Sequence, residues 1–234
     1  MADAEPDSAG PVWTGCRYRL LVFDWDGTLM DSAPRIVACM QRAARAFGWA
    51  VPSAEAIRDI IGLGLPEAIE RLYPGTGDRD REALQQAYGE AFRAADQSPA
   101  PFFDHVAEGL ERLHGVGGCH MVVATGKSRR GLDRTFAHTE ASRWFVDSRT
   151  ADLTRSKPHP LMLEELLDAW GVAVADAVMV GDTEYDLEMA RAIGMDRIAV
   201  TYGVHDRHRL ERSEPILVAD DFRAVVDWLL GADR

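Results

Sequence analysis

Leu20-Leu21-Val22-Phe23-Asp24-Trp25-Asp26-Gly27-Thr28-Leu29 joins an apolar run to two carboxylates and a glycine. Leu20–Phe23 is short and wholly apolar, which predicts a buried strand. Asp24 and Asp26 then stand at the strand's C-terminal end, the edge at which open α/β sheets bind ligands. Gly27 lets the chain turn sharply away. Trp25, between the two acids, is expected to point to the opposite side of the strand and pack. One aspartate of such a pair can attack an electrophile while the other moves a proton, and together they attract a hard cation. An acidic turn after a strand is also common where no chemistry occurs, so the function of the pair rests on what else reaches the same edge.

Further strand-like runs occur at His120–Ala124, Ala177–Val180 and Arg197–Thr201, with a shorter one at Ile216–Val218. Helical periods separate them. Leu161–Trp170 carries apolar residues at 163, 166, 167 and 170 and stops at Gly171, Glu184–Ile193 is followed by Gly194, and Asp221–Leu230 closes the chain. Strands alternating with helices predict an α/β fold, a Rossmann-like parallel sheet core. Residues 33–98 break the alternation. Ile36, Met40, Ala43, Ala44 and Phe47 share one helical face, and Ala54–Ile61, Glu67–Leu72 and Arg79–Ala95 also have helical patterns. Cys39 and Met40 are expected in the core of these helices. The expected organisation is a flexible N-terminus over residues 1–17, a core made of residues 18–32 and 99–234, and an inserted α-helical cap domain over residues 33–98. A few helices lying on one edge of the main domain are the alternative.

The 234 residues suffice for one large domain with a smaller insert, and 47% hydrophobic with 27% charged residues is ordinary for a globular protein. The net charge of −12 disfavours nucleic acid and anionic membrane surfaces as partners. An acidic protein that handles phosphate needs a local cation to offset the repulsion. Cys16, Cys39 and Cys119 are odd in number and far apart in sequence, which suits a reducing, cytoplasmic location better than a disulfide scaffold. No apolar run approaches the ~20 residues of a membrane span, and residues 1–15 lack the charged and apolar regions of a signal peptide. No segment signals an oligomeric state.

Three other stretches fall at predicted strand ends or their loops. In Thr125-Gly126-Lys127, a threonine hydroxyl and free backbone N–H groups can hold a phosphate oxygen, although a capping threonine would look the same. Lys157-Pro158 precedes a helix, and its ammonium could neutralise a nucleophile and a phosphoryl group together. In Gly181-Asp182-Thr183-Glu184-Tyr185-Asp186, two acids four apart follow a buried strand, a natural magnesium site because magnesium takes few carboxylates and keeps several waters. Asp186 also suits a helix start.

In this order the four stretches resemble the haloacid dehalogenase superfamily, over roughly Tyr18 to Leu230. Asp24–Ser32 and Ser156–Pro160 look most like its phosphoglycolate phosphatase-like branch, which inserts a helical cap between the first and second motifs. The resemblance implies a Mg2+-dependent phosphatase acting on a small phosphorylated metabolite, a phosphoglycolate-like phosphomonoester. It implies Asp24 as the nucleophile that forms an aspartyl-phosphate, with Asp26 as general acid and then base. Thr125 and the N–H of Gly126 would hold the transferring oxygens, and Lys157 would balance charge. Magnesium would be bound by the Asp24 carboxylate, the Asp26 backbone carbonyl and Asp182, with Asp186 acting through water or orienting Asp182.

Within the superfamily, Asp26 argues for phosphoryl transfer, because a departing halide needs no proton. Phosphonate-cleaving relatives use a cap lysine, and residues 33–98 contain none. A β-phosphoglucomutase-like phosphotransferase would carry a basic residue in the cap's substrate loop, whose candidate here is Gly62-Leu63-Gly64-Leu65. A pyrophosphatase or nucleotidase of the same family and, least favoured, a non-catalytic binding protein complete the alternatives. The chain departs from the family pattern at two places. Gly126 stands where many relatives have asparagine, and Asp104-His105 stands where a Pro-Gly pair is frequent. Lys127, Arg129 and Arg130 are expected mainly as a solvated helix start, and His159 as structural.

Overall fold

A computed structural model describes residues 15–95 and 100–232. In chain order it contains β1 (Leu20–Phe23), α1 (Ala33–Ala46), α2 (Ala54–Asp59), α3 (Leu65–Leu72), α4 (Asp78–Ala95), α5 (Val106–Val116), β2 (His120–Thr125), α6 (Arg129–Thr139), β3 (Asp147–Thr150) and α7 (Leu161–Trp170). It ends with β4 (Ala177–Gly181), α8 (Glu184–Arg191), β5 (Asp196–Val200), α9 (Arg207–Glu211), β6 (Leu217–Ala219) and α10 (Phe222–Leu229). Two short 3-10 turns add to these.

The six strands form one sheet in the order β3-β2-β1-β4-β5-β6, all parallel. β1 lies at its centre, with Leu20 opposite both His120 and Ala177. All four of its residues are buried, because helices cover both sheet faces. Leu21 and Phe23 pack with Leu110 of α5 and Phe222 and Val226 of α10. Leu20 and Val22 pack on the other face with Met162 and Leu166 of α7 and Met189 of α8. The chain changes direction across the sheet between β1 and β4, and Asp24 follows β1 at this switch point.

Between β1 and β2, α1 to α4 form a helical region with its own apolar cluster, which includes Ile36, Met40, Ala43, Ile57, Ile69 and Leu84. Cys39 is buried beside it in α1. Polar contacts tie the region to the sheet. Tyr185 donates its hydroxyl to the Asp59 carbonyl at 2.7 Å, Arg209 pairs with the Asp59 carboxylate, and Arg71 donates to the Tyr185 oxygen.

The strand and helix periods agree with the sequence to within a few residues, with four exceptions. β3 reads Asp-Ser-Arg-Thr and is an edge strand, half-exposed for most of its length, so no apolar run marks it. α5 and α9 were not expected, and α6 was foreseen only as a helix start. Of the expected flexible N-terminus, residues 1–14 lie outside the described residues. Arg17 is anchored, since its N–H donates to Leu229 O at 2.8 Å and its Nε to Trp228 O at 2.5 Å. The boundary expected at residues 98 and 99 also lies outside the described residues. His105, the N-cap of α5, has φ 66°, so Asp104-His105 makes a turn whose left-handed backbone a glycine would adopt without steric cost.

Trp25 does turn away from the acids. It is fully buried, with edge-to-face contacts to Phe102, Phe136 and Phe145 at 5.3 to 6.2 Å between ring centroids. Its indole N–H has no hydrogen-bond partner, so its contribution is apolar packing. Trp25→Ala should therefore cost about 3–5 kcal/mol in urea denaturation, the range for emptying a large aromatic site. Trp25→Phe, which discards the orphaned N–H, should cost less than half as much.

Candidate active site

Three sheet-edge segments converge on one buried point, and a fourth, β2, ends next to them because it pairs with β1. Asp24 comes from β1, Thr125 from β2, Lys157 from the loop before α7, and Asp182 and Asp186 from the junction of β4 and α8. Each is at most 1% exposed. Asp24, Asp182 and Asp186 each offer an oxygen within 4.8 Å of the other two.

Lys157 lies among them. Its ammonium donates to Asp24 Oδ1 and to Asp186 Oδ1, both at 2.5 Å. Burial pushes the Lys157 ammonium down, but Asp186 and Asp24 outweigh burial and hold it charged. The carboxyls shift the other way. Burial, with Asp186 and Asp182 adding to it, pushes Asp24 well up despite Lys157. Burial and then Asp186 push Asp182 up to about 7, against the donors from Val204 N–H and Thr28 and the charge of Lys157. One ammonium faces three buried acids, so the cluster is short of positive charge.

The remaining hydrogen bonds show which oxygen is free. Asp186 Oδ2 accepts from Thr183 N at 3.1 Å and Thr183 Oγ1 at 2.7 Å, closing a capping box at the start of α8. The hydrogen bonds of Asp186 thus go to Lys157 and Thr183. Asp182 is oriented by Thr28 Oγ1 at 2.8 Å and Val204 N at 2.9 Å. Gly27, at φ +98°, passes so close that a Cβ would lie 2.2 Å from Asp182 Oδ2. Asp24 Oδ2 is buried with no hydrogen-bond partner. A buried, unpartnered carboxylate oxygen beside two further acids is what a small hard cation requires.

The Asp26 carboxylate is held apart from this cluster. Its Oδ1 accepts from Ser32 Oγ at 2.5 Å and pairs with Lys127 Nζ at 2.9 Å. Lys127 is not the solvated residue that was expected: its side chain is 12% exposed and its ammonium lies 5.1 Å from the Phe92 ring centre. Of 26 lysines and arginines, only Lys127 and Lys157 are lysines, and both pair with site carboxylates. Thr125 Oγ1 accepts the Lys127 N–H at 3.1 Å, which leaves its own O–H as a donor. Ser32, Thr28, Thr183 and the partner of Lys127 were missed, because hydroxyl and lysine contacts of this kind have no spacing signature. His159 is structural, its Nδ1 accepting from Leu161 N at 3.2 Å at the start of α7.

Gly126 explains its own departure from the family pattern. A Cβ there would lie 2.5 Å from the Leu63 carbonyl and 2.6 Å from that of Gly62. The Gly62–Gly64 loop thus rests against the β2 edge, and Gly64 N donates to Ser156 Oγ at 2.7 Å. Gly62 and Leu63 also line a cavity together with Asp26 and Lys127.

A family model described as haloacid dehalogenase-like hydrolase matches residues 21–200. The chain belongs to this family. Among relatives, the probable phosphatase IndB of Dickeya dadantii is 35% identical over 212 residues, covering 88% of this chain and 91% of that protein. The phosphoglycolate phosphatase of Vibrio vulnificus (strain YJ016) is 26% identical over 220 residues, covering 91% and 96%. A haloacid dehalogenase-like family hydrolase from Streptococcus pneumoniae shares the fold, with a TM-score of 0.79 at 22% identity over 91% of this chain and 98% of that one. The haloacid dehalogenase-like hydrolase described here thus has the family's sheet, and no helix among its described residues is long and apolar enough to cross a membrane.

Two measurements check this electrostatic picture. Lys157→Met should lower stability by about 3–5 kcal/mol, because it leaves buried charge unpaired, and a millimolar divalent cation should restore part of the loss in a thermal melt. Asp182 should also give metal-free protein a distinctive pH dependence. Its folded pKa is raised above its unfolded value near 4, so the folded state binds the proton more tightly. The melting temperature of the wild type relative to Asp182→Asn should then fall as pH rises from about 4 to about 7 and level off above it.

Proposed function

We propose that the chain is a Mg2+-dependent phosphatase that hydrolyses a small phosphorylated metabolite through an aspartyl-phosphate on Asp24. The observation that carries this reading is the buried Asp24 carboxylate, with Oδ1 fixed by Lys157 and Oδ2 unpartnered at the C-terminal edge of β1. Asp24 attacks phosphorus, and the bond from phosphorus to the alcohol oxygen breaks. Asp26, fixed by Ser32 and Lys127, gives its proton to the leaving alkoxide. It then takes a proton from water as that water attacks the phosphoryl group, which releases phosphate and restores Asp24. Thr125 O–H and the Gly126 N–H hold phosphoryl oxygens, and Lys157 balances the charge of nucleophile and phosphate. Asp24, the Asp26 carbonyl and Asp182, with Asp186 behind them, would hold magnesium, which when bound screens the repulsion between carboxylate and phosphate.

Residues 33–98 serve as a cap on a core of residues 18–32 and 99–234. With the Gly62–Gly64 loop against the motif loops, the cap keeps bulk water from the intermediate. Gly62-Leu63-Gly64-Leu65 has no basic residue, which supports transfer to water over transfer to a second sugar.

Phosphate release from p-nitrophenyl phosphate with magnesium checks the assignment. Asp24→Asn should reduce kcat at least about a thousandfold, and Asp26→Asn by about 10²–10⁴-fold, the contribution of a positioned acid–base. Wild-type protein inactive at every magnesium concentration would refute the reading.

A further inference from the structure

The Asp26 side of the site opens into a cavity of about 170 Å³ between the helical region and the start of α6. On the helical side its wall is apolar, formed by Ile36, Met40, Ile60, Leu65 and Phe92 among others. Tyr88 adds a phenol that burial, with Asp26 adding to it, keeps protonated. The opposite wall carries Lys127 and Arg134. Lys127 is engaged with Asp26 at 2.9 Å and lies over the Phe92 ring. The leaving alcohol must occupy this cavity if Asp26 is to protonate it.

Size and lining limit that alcohol. An enclosed apolar cavity of ~150 Å³ accommodates one benzene molecule, so this partly open one has room for a single ring. A two-carbon acid would leave most of it unfilled. A sugar would set part of its hydroxyls against Ile36, Met40, Ile60 and Leu65, with Tyr88, Lys127, Ser128 and Arg134 as the side chains able to pair with the others, and Lys127 is already engaged with Asp26. An aromatic ring suits both walls: its edge and body pack on the aliphatic side chains, and its face accepts the cations opposite.

We infer that the substrate is the phosphomonoester of an alcohol bearing a single aromatic ring, with the phosphate at Asp24 and the ring in the cavity lined by Met40, Ile60, Tyr88 and Phe92. The inference rests on the phosphatase reading and narrows its substrate to an arylalkyl phosphate, away from phosphoglycolate itself.

The test compares kcat/KM of the wild-type enzyme with magnesium for benzyl phosphate, phosphoglycolate, glucose 6-phosphate and acetyl phosphate. Benzyl phosphate is the informative probe because its alcohol leaves no more readily than an aliphatic one and still needs a proton from Asp26. The expected result is a kcat/KM at least about tenfold higher for benzyl phosphate than for phosphoglycolate or glucose 6-phosphate, in line with discrimination by apolar pockets. Ala68→Phe, which fills the cavity, should lower kcat/KM for benzyl phosphate tenfold or more while acetyl phosphate changes less than threefold. Acetyl phosphate hydrolysis together with equal or better use of phosphoglycolate or glucose 6-phosphate overturns the inference and leaves the phosphatase reading intact. Failure to hydrolyse any of the four, acetyl phosphate included, overturns both.

Discussion

A single ammonium, Lys157 Nζ, lies between Asp24 and Asp186 in a site closed to water. Moving carboxylates out of water costs several kcal/mol each, and here three cluster with one cation among them. The fold serves this arrangement. The central strand β1 delivers Asp24, the capping box at α8 turns Asp186 toward the lysine, and Thr28 and Val204 orient Asp182. What remains is one carboxylate oxygen with no partner and a deficit of positive charge. Three carboxylates and one ammonium leave two negative charges, so a hard divalent cation at that oxygen would satisfy both conditions.

A second lysine does different work. Lys127 and Ser32 keep the Asp26 carboxylate out of the Asp24 cluster. Two aspartates separated by one residue thus occupy separate electrostatic environments, although both are buried. Alternation along an extended backbone starts the separation, since Trp25 goes to the opposite face and anchors an aromatic cluster. The lysines complete it. Arginine supplies nearly all other positive charge in the chain, whereas the compact ammonium of Lys157 contacts two carboxylates at once.

Most of the fold was legible because burial on both faces leaves continuous apolar runs in β1, β2 and β4, and one-sided burial leaves periodic patterns in α1 to α4. β3 was not legible, because an edge strand that reads Asp-Ser-Arg-Thr obeys neither pattern. The site acids, Thr125 and Lys157 were legible as four spaced motifs; Asp24, Lys157, Asp182 and Asp186 meet at one buried point, while Asp26 pairs with Lys127 and Thr125 accepts the Lys127 N–H. Lys127 was misread because its partner is distant in sequence, and a basic pair after it resembled a solvated helix start. Gly126 was noticed as a departure, but its cause, the Gly62 and Leu63 carbonyls resting on it, exists only in three dimensions.

Phosphorylation of Asp24 is the step on which the proposed chemistry depends. Acid quenching of the Asp26→Asn variant mixed with acetyl phosphate and magnesium, followed by peptide mass spectrometry, tests this directly. One phosphoryl group on the peptide containing Asp24, absent when Asp24 is also changed to Asn, is the predicted result. Phosphate release with no adduct at any quench time, or an adduct on another residue, would contradict it.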